Sequence, residues 1–451
     1  MSRLSGGSMD TERTMYWLRC GMLCAGLVLV LVNCGNREPV LPGERLDLRA
    51  PPQDDAEPAP IVPDRLVLDK AVVNAEWTHR NGSARHNIRH PVLNRTLTRI
   101  WSTGIGSGNS RKHQITADPV IAGGRIFTLN SRSGARAFSP AGVLIWDRDL
   151  TPPNEKSGEA SGGGMAYGSG ALAVTTGHGD VYVLDPATGE PRWRHRMPGA
   201  ISAPPAIIGD VVVAVSRNNT ALGLNITNGR ILWQILSPGR TAGIAGAGAP
   251  AAMGNLAVIP YASGEVIGVV ATNGLRAWSA AVTGGRKGVA RGIINDISAD
   301  PVIVGTTVYA GNQAGRIASI DRRSGAGNWI AQDGSYTPVW PASGAVFIVT
   351  DAFRVKRLNA SDGQEVWSAD LPGYKTGRPQ RRRDAYAHFG PILAGGQIWV
   401  ASSDGLLRSY DPETGTMTGT ADIPGGAASQ PAVADGVMYI LSGNGRLHAY
   451  R

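Results

Sequence analysis

From about residue 95 onward the chain is written in short runs of Val, Ile, Leu and Tyr separated by Gly, Asp, Asn and Pro. Runs of this kind fit a pleated, half-buried surface, and the punctuation sets tight turns between them. One stretch shows the unit in full. Gly179-Asp180-Val181-Tyr182-Val183-Leu184 reads as a strand, Asp185-Pro186-Ala187-Thr188-Gly189 as a turn, and Glu190-Pro191-Arg192-Trp193 as the opening of the next strand. The turn glycine followed four residues later by tryptophan recurs as Gly142/Trp146, Gly189/Trp193, Gly229/Trp233, Gly274/Trp278, Gly325/Trp329 and Gly363/Trp367. The tryptophans fall roughly 40 to 50 residues apart, the period of a four-stranded propeller blade.

A seventh copy, Tyr410-Asp411-Pro412-Glu413-Thr414-Gly415, keeps the turn but carries Gly419 where tryptophan is expected. The last unit begins near Pro431 and stops after Leu447-His448-Ala449-Tyr450, without a glycine turn or a tryptophan strand. At the other end, Thr98-Arg99-Ile100-Trp101 looks like a strand with no unit of its own. The pattern predicts an all-β fold, an eight-bladed β-propeller of four-stranded antiparallel blades, over residues 95–451. The strand near Trp101 would complete the last blade, removing exposed sheet edges and locking the ring. The in-register tryptophans are expected to bury against the neighbouring blade. Trp77, Trp340 and Trp399 stand outside the register and receive no role.

Composition agrees with a turn-rich globular body: 60 Gly, 29 Pro, 42% hydrophobic and 18% charged residues among 451. The formal charge of +9 would permit an acidic partner. The densest basic cluster, Lys375, Arg378, Arg381, Arg382 and Arg383, has no nucleic-acid-binding pattern around it and reads as a solvated loop; no nucleic-acid partner is expected.

All three cysteines, Cys20, Cys24 and Cys34, precede residue 35, so the propeller can hold neither a disulfide nor a cysteine metal site. Gly21 to Val32 is an apolar run behind Arg13 and Arg19, too short for a membrane span and suited to the central region of a signal peptide. Met9 or Met15 could equally serve as the start. Leu31-Val32-Asn33-Cys34 resembles a bacterial lipobox, which implies lipidation of Cys34; Asn33 departs from the usual small residue. Residues 1–34 are thus read as a signal peptide and 35–94 as a proline-rich tether with a lead-in segment, the tether being too polar to bury much surface.

Catalytic and metal signatures are missing from the sequence. There is no HExxH, Walker A or nucleophile-elbow motif. Gly104-Ile105-Gly106-Ser107-Gly108 has glycines but no helix pattern after it, so it reads as a connecting loop. His79, His86 and His90 cluster in the lead-in, but Arg80, Arg85 and Arg89 lie among them and would repel a cation. No catalytic residue, cofactor or metal is expected.

The glycine-turn, tryptophan-strand units resemble the pyrroloquinoline-quinone repeat of quinoprotein-like propellers over roughly residues 95–451. With the lipobox, the tether, the opening Leu41-Pro42-Gly43-Glu44-Arg45 and the split last blade, the chain resembles the BamB family, lipoprotein subunits of the outer-membrane β-barrel assembly machinery, and its alphaproteobacterial members in particular. That resemblance implies a non-catalytic scaffold at the periplasmic face of the outer membrane, monomeric within a complex. It would dock on the periplasmic domains of BamA alongside other barrel-assembly subunits. The family's partner surface maps onto residues 241–248 and 292–297. Ile244, Ile293 and Ile294 would give apolar contacts and Asp296 an acidic one, while Ala245 stands where the family commonly shows arginine. Two other readings share the repeat: a scaffold or polysaccharide-binding propeller of another envelope complex, and a quinone-dependent dehydrogenase. The second conflicts with the absence of any cysteine after Cys34, which forbids the vicinal disulfide of those enzymes.

Overall fold

Residues such as Val211–Val215 are β-branched or small along their whole length and are buried on both faces, as expected of inner strands sandwiched between neighbouring sheets. Fourth strands such as Ile231–Leu236 instead alternate buried and exposed positions. In the computed structural model, which describes residues 65–237, 248–285, 296–376 and 384–451, these strands form eight four-stranded antiparallel sheets. Among the described residues, helix is limited to one turn, Arg80–Gly82. The architecture is the eight-bladed propeller that the repeat predicts.

Seven blades are built of consecutive strands: residues 120–149, 163–196, 206–236, 251–281, 299–331, 340–370 and 388–422, numbered here 1 to 7. The eighth combines Ala432–Ala434, Val437–Ser442 and Arg446–Tyr450 with the early strand Arg99–Gly104. Trp101 pairs with Ala449, and Thr98 and Arg451 exchange backbone hydrogen bonds of 2.9 and 3.0 Å. The ring is closed by the two ends of the propeller chain, as the orphan strand implied.

The tryptophan repeat is a chain of links between blades. Each indole N–H donates to a carbonyl in the next blade's glycine turn: Trp101 to Pro140, Trp146 to Pro186, Trp193 to Ile226, Trp233 to Ala271, Trp278 to Arg322, Trp329 to Ala360 and Trp367 to Pro412, at 2.6–3.1 Å. The glycine ending that turn lies against the same ring. A Cβ on Gly142, Gly189, Gly229, Gly274, Gly325, Gly363 or Gly415 would stand 2.5–2.9 Å from ring or Cβ atoms of the linked tryptophan. All seven glycines also have φ between +69° and +80°, where only glycine is unstrained. Trp101 thus belongs to the register as its seventh member. Gly419 sits where the eighth would be, at the seam with blade 8, whose third and fourth strands come from opposite ends of the propeller and are joined by no turn.

Candidate functional site

The lead-in segment is built into the propeller rather than standing ahead of it. Between Asn74 and Pro91 it hydrogen-bonds every blade in ring order. The Asn74 amide donates to Val433 of blade 8 at 2.6 Å. Trp77 exchanges backbone bonds with Ile121 of blade 1, and Thr78 accepts from Tyr167 of blade 2. The His79 ring accepts from Ile207 of blade 3. Ala84 and Arg85 accept from Ala252 of blade 4 and Ile303 of blade 5. Asn87 donates to Pro341 of blade 6, and Pro91 accepts from Gly395 after the first strand of blade 7. These partners lie on, or directly after, the innermost strands, so the segment plugs one end of the central channel.

Arg80 enters the channel from this plug. Its guanidinium donates to Asp118 of blade 1 at 2.5 Å, to Asp300 of blade 5 at 2.9 Å and to the Thr116 carbonyl at 3.1 Å. Burial opposes its charge, but the two carboxylates outweigh that and hold its pKa above the ordinary arginine value. The carboxylates also accept backbone N–H groups, Asp118 from Gln430 and Asp300 from Ala249. One cation therefore ties blades 1 and 5 across the axis, and through their carboxylates the starts of blades 4 and 8. Trp77 and Trp340, both buried, stack on each other with ring centroids 6.3 Å apart. Trp399 is buried and donates to the Ala394 carbonyl.

The three lead-in histidines go to different neighbours. His79 accepts with Nε2, and burial lowers its pKa to about 3, with a smaller contribution from His86. The His86 Nδ1 donates to the Pro301 carbonyl at 2.8 Å, and burial lowers its pKa also. His90 lies between the Asp69 carbonyl and the Gly396 N–H. Each is occupied in packing, and among the described residues no group of three or more His, Cys, Asp or Glu is arranged to hold a metal.

Beyond the plug the channel widens into a cavity of about 820 Å³ with Arg80 and Asp118 in its lining. The connections leading into the innermost strands of blades 1, 3, 5, 6, 7 and 8 contribute to its lining. The expected partner surface falls on the connections before blades 4 and 5. Gly248 N–H donates to the Ile297 carbonyl at 3.2 Å and Ile297 N–H to the Tyr261 carbonyl at 3.3 Å, so the two connections share a common root. Ser298, one residue beyond, lines the cavity. Asp296 is placed at that root with 3% of its surface exposed. Ile244, Ile293, Ile294 and Ala245 lie outside the described residues, as do Cys34, the tether before residue 65 and the arginines at 378 and 381–383. Lys375 is exposed at the cavity's edge.

Arg80 and its two aspartates were not singled out from the sequence. A signal for them exists: Ala117-Asp118-Pro119-Val120 recurs as Ala299-Asp300-Pro301-Val302, the same tetrapeptide opening blades 1 and 5. Most other blades carry a neutral residue before the opening proline.

The closed ring, with seven of its eight blade seams linked by tryptophan and its channel plugged, defines the class: an eight-bladed propeller of quinoprotein-type repeats. Residues 131–369 and 351–451 match the family model described as outer membrane protein assembly factor BamB, and the chain belongs to that family. Among its relatives, the BamB of Moranella endobia is 25% identical over 360 residues, covering 78% of this chain and 89% of the relative. The crystal structure of BamB from Moraxella catarrhalis superposes with a TM-score of 0.66 at 20% identity, covering 79% of this chain and all of that one. The quinohemoprotein alcohol dehydrogenase of Comamonas testosteroni gives a TM-score of 0.65 at 12% identity, covering 84% of this chain and 81% of the enzyme. At that identity the likeness is one of fold alone.

Proposed function

We propose that this chain is a non-catalytic scaffold of the outer-membrane β-barrel assembly complex, held at the periplasmic face of the outer membrane by a lipid on Cys34. It docks on the periplasmic domains of BamA through the paired connections before blades 4 and 5. Ile244, Ile293 and Ile294 supply the apolar contacts of a modest interface, and Asp296 acts at the root that joins the two connections. The observation that carries this reading is the family match together with the hydrogen bond from Gly248 to Ile297. It sets side by side two segments separated by a whole blade in sequence.

Arginine substitutions at Ile244 and Ile293 test the proposed surface. Each is expected to weaken binding of the purified chain to the BamA periplasmic domains more than tenfold, with the thermal unfolding midpoint unchanged. An unaltered dissociation constant in the double variant contradicts the assignment. Asp296→Arg is the poorer probe, because a charge reversal at a buried site perturbs the fold by itself.

A further inference from the structure

Two features of the cavity lining break local rules, an unpartnered polar pair and a bulky residue at a turn position that favours glycine. Gln430 occupies, in blade 8, the position before the opening proline that Asp118 and Asp300 hold in blades 1 and 5. It is 4% exposed and lines the cavity, yet neither atom of its amide has a hydrogen-bond partner among the described residues. The hydroxyl of its neighbour Ser429, 2% exposed and also lining the cavity, is equally unpartnered. Buried polar groups are almost always satisfied, so two unpaired neighbours beside one cavity call for a partner.

Phe353 is the second exception. It ends the hairpin turn between the second and third strands of blade 6 with φ +61°. The same turn ends in Gly179, Gly264, Gly315, Gly405 and Gly445 in five other blades, and in Ser133 and Asn219 in the remaining two. A bulky residue in the left-handed region is an outlier that persists where the surroundings or a function impose it. The ring lines the cavity, fixed edge-on by Tyr374 at 5.3 Å and by His388 at 6.2 Å between centroids. Tyr336, 48% exposed, joins Tyr386 and Phe389 on the same lining.

We infer that this cavity binds a short, uncharged peptide segment carrying an aromatic side chain. Its volume lies within the roughly 300–1,000 Å³ of ligand pockets. Arg80 is matched by Asp118 and Asp300, and the other charged residues of the lining, Asp351 and Lys375, are of opposite sign, so the cavity does not select a charged ligand. Gln430 presents a donor and an acceptor on one planar group, the complement of a peptide amide. Tyrosine and phenylalanine interleaved with serine and threonine hydroxyls combine rigid aromatic contact area with adaptable hydrogen bonding, as protein-binding paratopes do. Because the plug closes the far end, the occupant is a chain end or a turn, not a strand threading the ring. The inference is independent of docking on BamA and stands or falls apart from it.

Calorimetric titration of the purified full chain tests it, with acetyl-Ser-Tyr-Ser-Phe-amide as probe and acetyl-Ser-Glu-Ser-Glu-amide and chitotetraose as comparisons. The aromatic peptide alone is expected to bind measurably. Gln430→Leu and Phe353→Gly should each weaken it at least tenfold, and Gln430→Leu, which removes an unpaired buried amide, should leave the unfolding midpoint unchanged or raised. No binding, preference for the sugar or the acidic peptide, or peptide binding untouched by both substitutions overturns it. So does a lowered midpoint in both variants, which would mark the two residues as structural.

Discussion

At Gly274 the backbone φ is +72°, and a Cβ would stand 2.7 Å from the Trp233 side chain. Alanine there incurs about 1–2 kcal/mol for the left-handed backbone and a further ~1–3 kcal/mol for displacing a packed ring. Gly254 is the matched control, since its φ is +59° but nothing lies within 4 Å of the added carbon; Gly254→Ala should show the backbone penalty alone. Urea denaturation of the two variants separates the terms, and equal losses would mean the tryptophan contact contributes nothing. His79 sets a pH dependence at the same scale. Its folded pKa of about 3 lies below the ordinary 6.5 because burial disfavours the charged ring. The unfolded chain therefore binds the extra proton, and stability is lost as pH falls from about 6.5 towards 3. One such group contributes about 1.4 kcal/mol per pH unit inside that window. His86, His388 and His448 are shifted downward by burial too and reinforce the trend. His79→Gln should flatten the fall in unfolding midpoint between pH 7 and 5; an unchanged slope would show that His79 is protonated within the fold.

Among the elements, strands and turns were legible because their chemistry is local. An aspartate that caps its own turn, as Asp185 does by accepting the N–H groups of Ala187 and Thr188, leaves the same Asp-x-x-x-Gly signature wherever it occurs. The plug was not legible, because it has no periodicity of its own. It reaches the blades largely through main-chain groups, and such bonds leave little trace in side-chain identity. What trace there was, Trp77 outside the register and three histidines among arginines, gave no hint of contact with every blade. Arg80 is the plug's anchor. Arg80→Met leaves Asp118 and Asp300 buried and unpaired, an arrangement that typically destabilises by about 3–5 kcal/mol. Denaturation should show that loss, and a variant within ~1 kcal/mol of the parent would show that the ring does not depend on the plug.

For the whole molecule, the split last blade was legible from what each end lacked. The sequence repeat counts seven turns and six tryptophans, and Trp101 supplies the seventh link from across the closure. The cavity was not legible, since Gln430 and Phe353 acquire meaning only when the ring brings blades 6 and 8 to one channel. The proposed docking surface is argued from the shared root of two connections and from membership of the assembly-factor family. Its most direct test is photo-crosslinking in the native envelope with a reactive side chain at position 244 or 293, and at Gly254 between the first two strands of blade 4 as the control. BamA captured from 244 and 293 but not from 254 is the expected result. Capture of no barrel-assembly subunit, or equal capture from all three positions, would contradict docking through these connections.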